Sequence, residues 1–238
     1  MVRIGNFLFH WRNVLFPLAY LLLLVPSPQL LASPYVAAAI GFSIALTGQL
    51  LRAVTIGLEY IIRGGKNRQV YAERLVQGGM FAHARNPLYV GNYLVVVGVG
   101  VASNSVVFLA CVVPIFAFAY LAIIAAEENY LRGKFGDEFA EYCARVNRLV
   151  PNFAGFTKSI EGMQFNWRRL ITAEYGSTFM WLGGITLITT KNILSQGGYA
   201  ANRGAVWALQ ALLLFVVAAY ALARYLKKSG KLKAKRTV

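Results

Sequence analysis

The sequence predicts an all-α integral-membrane protein, a polytopic bundle of about six transmembrane helices, and three observations carry that prediction. Of its 238 residues 58% are hydrophobic and only 14% charged, with a mean hydropathy of +0.53, which does not describe a soluble domain. Apolar runs of near-spanning length, roughly 20 residues for a helix crossing the hydrocarbon core, recur at 14–31, 35–62, 88–102, 106–126, 176–194 and 205–225. Basic residues, finally, concentrate in alternate connections, and that segregation fixes orientation.

Each span follows from what bounds it. The first ends in Pro26-Ser27-Pro28, and its length and this ending argue against a cleaved leader. The third is short, held between Pro87 and the uncharged turn Ser103-Asn104-Ser105, so the third and fourth form a hairpin. With the N-terminus cytoplasmic, 21 of the 24 basic residues lie inside; Lys191 and Arg203 fall outside, and Arg52 lies within a span. Both termini are then cytoplasmic. The net charge of +15 reads as this inside bias together with a tail, Lys227–Arg236, set against anionic lipid headgroups; nucleic acid is not an expected partner. Two cysteines and two histidines without metal-ligand spacing predict neither a metal site nor a disulfide framework. The stretch 153–170 interleaves aromatic and basic residues and suits either an interfacial segment or a covered linker to the fifth span.

Charges inside spans are costly, on the order of 2.5–3.5 kcal/mol each on insertion scales, and call for a partner or a purpose. Arg52 and Glu59 share a helix face but stand about 10 Å apart along the axis at 1.5 Å per residue. Each is expected to meet another helix, as an ion pair, or to serve as a cofactor or substrate contact. The richer cluster is 78–91, where a basic loop enters the short third span. Pro87 suits the first turn of a helix, whose free N–H groups and positive dipole end favour an anion, with Arg85 beside it as a bidentate donor. Tyr89 and Gly91 follow, and Gly98 and Gly100 permit close approach of a helix or a ligand. The fourth span ends in Glu127-Glu128. These point about 100° apart on a helix, so one of them is expected to face the bundle. Gly136-Asp137 then reads as a stop and an N-cap before a second short helix carrying Arg145.

These clusters resemble the isoprenylcysteine carboxyl methyltransferase and phospholipid methyltransferase superfamily of membrane enzymes. The carriers are Arg85-Asn86-Pro87-Leu88-Tyr89-Val90-Gly91 and the stretch from Glu127-Glu128 through Leu131, Phe135-Gly136, Phe139, Tyr142 and Arg145-Val146 towards Pro151. The likeness extends more weakly to Gly48, Leu51-Arg52, Thr55 and Gly57, and so covers 41–151. It implies a cytoplasmic pocket for S-adenosylmethionine between the third and fourth spans. Arg85, Asn86 and Tyr89 would line the amino-acid end of the cofactor, Gly91, Gly98 and Gly100 would let it pack close, and Glu127 or Glu128 would meet its ammonium group. Arg145 would complete the site and position the acceptor, with Arg52 a further substrate contact. Asn86 stands where the carboxyl methyltransferase pattern has His, which removes an ionisable ring.

The division that follows is a methyltransferase-like core at 1–151 and, at 152–238, an interfacial segment, two more spans and the basic tail. The expected acceptor is lipid-borne, a prenylcysteine-type carboxylate or, as the alternative, the amine of a phospholipid. A sterol-type reductase using NADPH and a small transporter or scaffold with Arg52 and Glu59 in its pathway are the competing classes. Gly183-Gly184 and Gly197-Gly198 are where a second copy would pack, and a dimer is left open. Soluble nucleotide-binding motifs are excluded: Gly98-Val99-Gly100 lacks the third glycine, and Gly65-Lys66 has Tyr60 and Asn67 where a phosphate loop needs Gly and Ser or Thr.

Overall fold

A computed structural model describes residues 1–59 and 69–232 of the chain. Six helices follow in order: α1 (Val2–Ala19), α2 (Pro34–Leu58), α3 (Pro87–Ala102), α4 (Val106–Arg145), α5 (Phe156–Ser159) and α6 (Trp167–Lys228), with 3-10 turns at Tyr20–Leu24 and Gly79–Ala82. No strand occurs among the described residues. Four of these helices are long and apolar enough to cross a membrane, and α3 is a shorter apolar helix beside them. The chain is an integral-membrane helix bundle.

Two small-residue stripes determine how it packs. On α2 the buried positions Ala37, Gly41, Ala45 and Gly48 recur every three or four residues, one face of a helix. The matching face of α3 carries Gly91, Gly98 and Ala102. A Cβ added to Gly98 would meet the Gly41 carbonyl oxygen and the Ala45 nitrogen at 2.5 Å, so the two backbones touch directly, the arrangement membrane helices use where no water drives association. Arg52 continues the α2 stripe, and its stem crosses Gly91.

α1 packs antiparallel along α4. The small Gly5 lies against the Ala122 carbonyl, and the Phe16 ring packs on Phe116 at a tilt with centroids 4.7 Å apart. Helix α1 begins twelve residues before the predicted first span: Arg12 does not interrupt it because the guanidinium lies over the Phe9 ring, 4.0 Å from its centroid. The far end of the bundle is closed by Asn104, whose left-handed backbone (φ 57°) makes the α3–α4 turn. Its amide exchanges two 2.8 Å hydrogen bonds with the Leu31 backbone.

The two longest helices are each broken at a glycine. Gly136 in α4 (φ 51°) breaks the helix where the Gly-Asp signal predicts a stop. In α6, Gly198 (φ 67°) and Asn202 break the helix, and Lys227 Nζ donates to the Thr172 carbonyl at 3.0 Å. Fifty-five residues of straight helix would put those groups about 80 Å apart, so the two halves fold back as a hairpin containing the predicted fifth and sixth runs. Gly183 faces Leu213 of the opposite arm, so this glycine is spent within the chain.

The predicted second span overruns α2. Glu59 caps the helix at Leu58, and residues 60–62 lie outside the described residues, as do the basic Arg63, Lys66 and Arg68, the Gly65-Lys66 pair, and tail residues 233–238. The segment 153–170 folds back as a cover: Arg169 donates to the Ile56 and Gly57 carbonyls at 2.6 and 2.7 Å, while Phe153 and Trp167 stay exposed. The parts at 1–151 and 152–238 share one core, in which Ala45, Val99 and Ala102 pack against Trp181 and Ile185.

Replacing Gly98 by Val should lower stability in detergent by about 1–3 kcal/mol, the usual cost of overpacking, whereas Gly133→Ala, inside a helix with open space around it, should leave the unfolding temperature the same or slightly higher. Equal melting of the two variants would dismiss the backbone contact.

Candidate functional site

A cavity of about 1100 Å³ opens between α1, α2, α3, α4 and the first arm of α6, roofed by residues 70–76. It runs along α3 from Asn86 to Val99, thirteen residues or about 20 Å of helix. Its character changes with depth. At the charged end lie Arg85, Asn86, Tyr89 and Glu127; below them come Arg12, Gln49, Arg52 and Asn92; the deepest part is walled by Phe16, Tyr20, Val95, Val99 and Trp181.

The charged end is assembled by backbone latches. Arg85 N donates to the Asn147 carbonyl at 2.8 Å and Asn152 N to the His83 carbonyl at 3.0 Å, so the chain leaving α4 is tied to the chain entering α3. Tyr142 reinforces this with a 2.7 Å bond to the Phe81 carbonyl. Arg85 Nη1 reaches the Cys143 carbonyl at 3.0 Å and Nη2 stands 3.4 Å from Glu128. Its Nε is buried without a partner. Pro87 then opens α3, and Asn86, buried at the N-cap, donates from Nδ2 to the Arg148 carbonyl at 3.1 Å.

The two adjacent carboxylates separate as their 100° offset requires. Glu127 faces the cavity and accepts the Tyr89 hydroxyl proton at 2.7 Å. Glu128 turns away to bind Arg148 at 2.9 Å as well as Arg85. Sequence reasoning left the choice between them open; the packing of α4 makes it.

Five of the predicted site residues, Arg52, Arg85, Asn86, Tyr89 and Glu127, therefore share one cavity. The others lie elsewhere. Gly91 abuts the Arg52 stem and Gly48, Gly98 abuts Gly41 and Ala45, and Gly100 lies against Phe108 and Leu109. What comes close at these glycines is a neighbouring helix, the first of the two alternatives open in the sequence. Arg145 is exposed and hydrogen-bonds Gln77 at 3.1 Å; since Gln77 adjoins the roof, this arginine holds the roof down and does not line the cavity. Glu128 acts on the cavity only through Arg85.

The intramembrane charges find partners that the Arg52–Glu59 juxtaposition did not indicate. Arg52 pairs with Glu174 of α6 in a two-pronged contact at 2.8 and 2.7 Å, with both residues under 5% exposed. Gln49 donates to the same carboxylate at 3.1 Å, Trp181 donates to Gln49 at 2.9 Å, and Arg52 also donates to Asn92. Glu59 instead meets Arg74 at 2.8 Å. Glu174, Gln49, Asn92 and Trp181 went unrecognised in the sequence. The available signal was Glu174 itself, a lone acid at the edge of the fifth apolar run.

Chemically, the charged end offers a buried guanidinium N–H without a partner, a carboxylate held by a phenol, and a helix N-terminus. That donor and acceptor set fits the carboxylate and ammonium of an amino-acid-bearing cofactor. Among the described residues no three His, Cys, Asp or Glu side chains converge as a metal site.

Comparison with known proteins agrees with this architecture over the central part of the chain. The model of the phospholipid methyltransferase family matches residues 34–138. Over this segment, which is less than half of the chain, the protein is similar to that family. The segment comprises α2, α3 and the spanning part of α4, which hold Arg52, Arg85, Asn86, Tyr89 and Glu127. The chain is also similar to the cobalt-zinc-cadmium resistance protein CzcN of Cupriavidus metallidurans, 34% identical over 48% of each chain. A second relative is the nickel-cobalt-cadmium resistance protein NccN of Alcaligenes xylosoxydans xylosoxydans, 31% identical over 49% of each. The match thus spans about half the length of these curated relatives. No solved structure matches.

Removing one partner of the buried pair leaves an uncompensated charge, which typically costs about 3–5 kcal/mol. Glu174→Ala should therefore destabilise the protein by that order in detergent unfolding, and the double variant Arg52→Leu/Glu174→Leu should recover most of it. A double variant no more stable than Glu174→Ala would remove the pair from this account.

Proposed function

We propose that the chain is an integral-membrane methyltransferase that uses S-adenosylmethionine and methylates a lipid-borne acceptor, foremost a prenylcysteine-type carboxylate. One observation supports this above the others: within the phospholipid methyltransferase segment, Glu127 is turned into the cavity and held by Tyr89, while a partnerless Arg85 N–H lies at the same charged end. Arg85 would take the carboxylate of the cofactor, and Glu127 its ammonium. Asn86, fixed to Arg148, would shape the floor between them. When bound there the cofactor supplies a methyl group on a positively charged sulfur.

What the protein adds is placement and dryness. In-line methyl transfer gains chiefly from holding the acceptor atom at near-attack distance with water excluded. The roof at 70–76, pinned by Arg74 to Glu59, by Lys134 to the Ala72 carbonyl and by Gln77 to Glu138, covers the charged end. The apolar depth of the cavity accommodates the chain of the acceptor. A carboxylate acceptor already carries the lone pair that makes the new bond, so no side chain has to remove a proton. By the positive-inside rule the charged end is cytoplasmic, with both termini on that side.

The family description favours one second reading, N-methylation of a phospholipid amine. An ammonium acceptor must first lose a proton, and Glu127 would then be the general base.

Calorimetric titration of the detergent-purified protein should give saturable binding of S-adenosylmethionine and S-adenosylhomocysteine and none of NADPH. Glu127→Gln and Tyr89→Phe should weaken it by ~10- to 100-fold, as expected for lost hydrogen bonds to a charged group. Folded protein that binds NADPH and neither sulfur compound would sink the proposal. Tritiated methyl transfer into prenylcysteine analogues against phosphatidylethanolamine then separates the two acceptors.

A further inference from the structure

Arg12 is the cation in this cavity that nothing above accounts for. It lines the wall from α1, outside the family segment 34–138, and lies within a helix apolar enough to span the membrane. Arg52, Arg74 and Arg85 each have a carboxylate partner. Arg12 has the face of Phe9, which is 4% exposed, and no carboxylate of the described residues pairs with it. A planar guanidinium stacked on a ring keeps its edge N–H donors available, and a charge at such depth calls for a partner or a purpose.

Its depth is set by the antiparallel packing of α1 on α4. Gly5 lies at Ala122 and Ala126 and Phe16 at Phe116 and Tyr120, so Arg12 falls opposite residues 120–123. That places its backbone four to seven residues, or ~6–10 Å, further into the bundle than Glu127, with the guanidinium turned back over Phe9 towards the Glu127 level. Across the cavity at this depth stand Asn92 and the neutralised Arg52–Glu174 pair. Below them the walls are apolar: Phe16, Tyr20, Val95, Val99 and Trp181. Glu127 lies within reach of its charge but makes no direct ion pair with it, and a cation at the junction between a polar chamber and an apolar one matches an amphiphile with an anionic head.

We propose that Arg12 is the acceptor-binding residue: it pairs with the anionic headgroup of an amphiphilic substrate, whose hydrocarbon chain fills the apolar depth beneath. This rests on the methyltransferase reading and gives Arg12 the role that the sequence assigned to Arg145. Where the anion is the reacting carboxylate, its oxygen forms the O–CH3 bond as the S–CH3 bond breaks and the electron pair passes to sulfur, leaving an ester and a thioether with no proton to move. Acceptor choice is then written in α1 and α6, which flank the family segment, and cofactor choice in α3 and α4.

The full-length protein in detergent is titrated with N-acetyl-S-farnesylcysteine, its uncharged carboxamide, dodecyl phosphate and S-adenosylmethionine. The wild type should prefer the acid to the carboxamide by ~10- to 100-fold, the range for hydrogen bonds to a charged group. Arg12→Gln should abolish the preference, Arg12→Lys should keep part of it, and neither should change the affinity for S-adenosylmethionine. The acid-to-amide ratio of the wild type tests the proposal even if a variant fails to fold. Equal binding of acid and carboxamide by the wild type overturns it, as does weakened S-adenosylmethionine binding in Arg12→Gln, which would make Arg12 a cofactor residue. Arg12-dependent binding of dodecyl phosphate in place of the acid keeps the anion site and removes the carboxylate acceptor. If S-adenosylmethionine fails to bind while the acid still binds through Arg12, the fault lies with the methyltransferase reading alone.

Discussion

Withdrawing a guanidinium and a carboxylate from water into a bundle surrounded by hydrocarbon is unfavourable unless each finds the other in good geometry, and Arg52 and Glu174 satisfy that condition across two helices. Much else depends on their meeting. The pair draws the first arm of α6 against α2, which lets Trp181 reach Gln49 and Ile185 reach the Val99 layer. Without that arm the cavity would lack one wall and stand open on the α2 side. The stem of Arg52 can lie where it does because Gly91 has no side chain, so the ion pair and the small-residue seam of α2 and α3 are one construction.

The architecture was legible in the sequence to the extent that it is written in composition and in local punctuation. Apolar runs, Pro87 at a helix start, Ser103-Asn104-Ser105 as a turn and Gly136-Asp137 as a break are all short-range signals, and each corresponds to a feature of the fold. Length was less legible. Helix α1 starts long before the apolar run does, because an aromatic neighbour one turn away makes Arg12 tolerable, and hydropathy does not register that kind of compensation.

For the candidate site the dividing line was range. Arg85, Asn86 and Tyr89 sit at the start of α3, where chemistry is set by immediate neighbours, Glu127 is an acid closing an apolar run, and the four do converge. Gly91, Gly98 and Gly100 have no side chain to declare a preference; whether a helix or a ligand fills the space depends on where α2 lies. Arg145 looks the same in sequence whether it points at a ligand or at Gln77. Glu174 became meaningful only once a residue 122 positions earlier was seen to need it, and such pairings are properties of the tertiary structure.

The brevity of α3 has a further consequence. Sixteen residues make a rod of about 24 Å, against a hydrocarbon core of about 30 Å, and this rod carries Asn86 at its tip. A polar helix tip on so short a rod is set below the plane that the longer helices reach, a mismatch that neighbouring lipids must either fill or thin to meet. The host bilayer becomes a component of the cavity's setting: the acyl-chain length of surrounding lipids sets how deep the dent is.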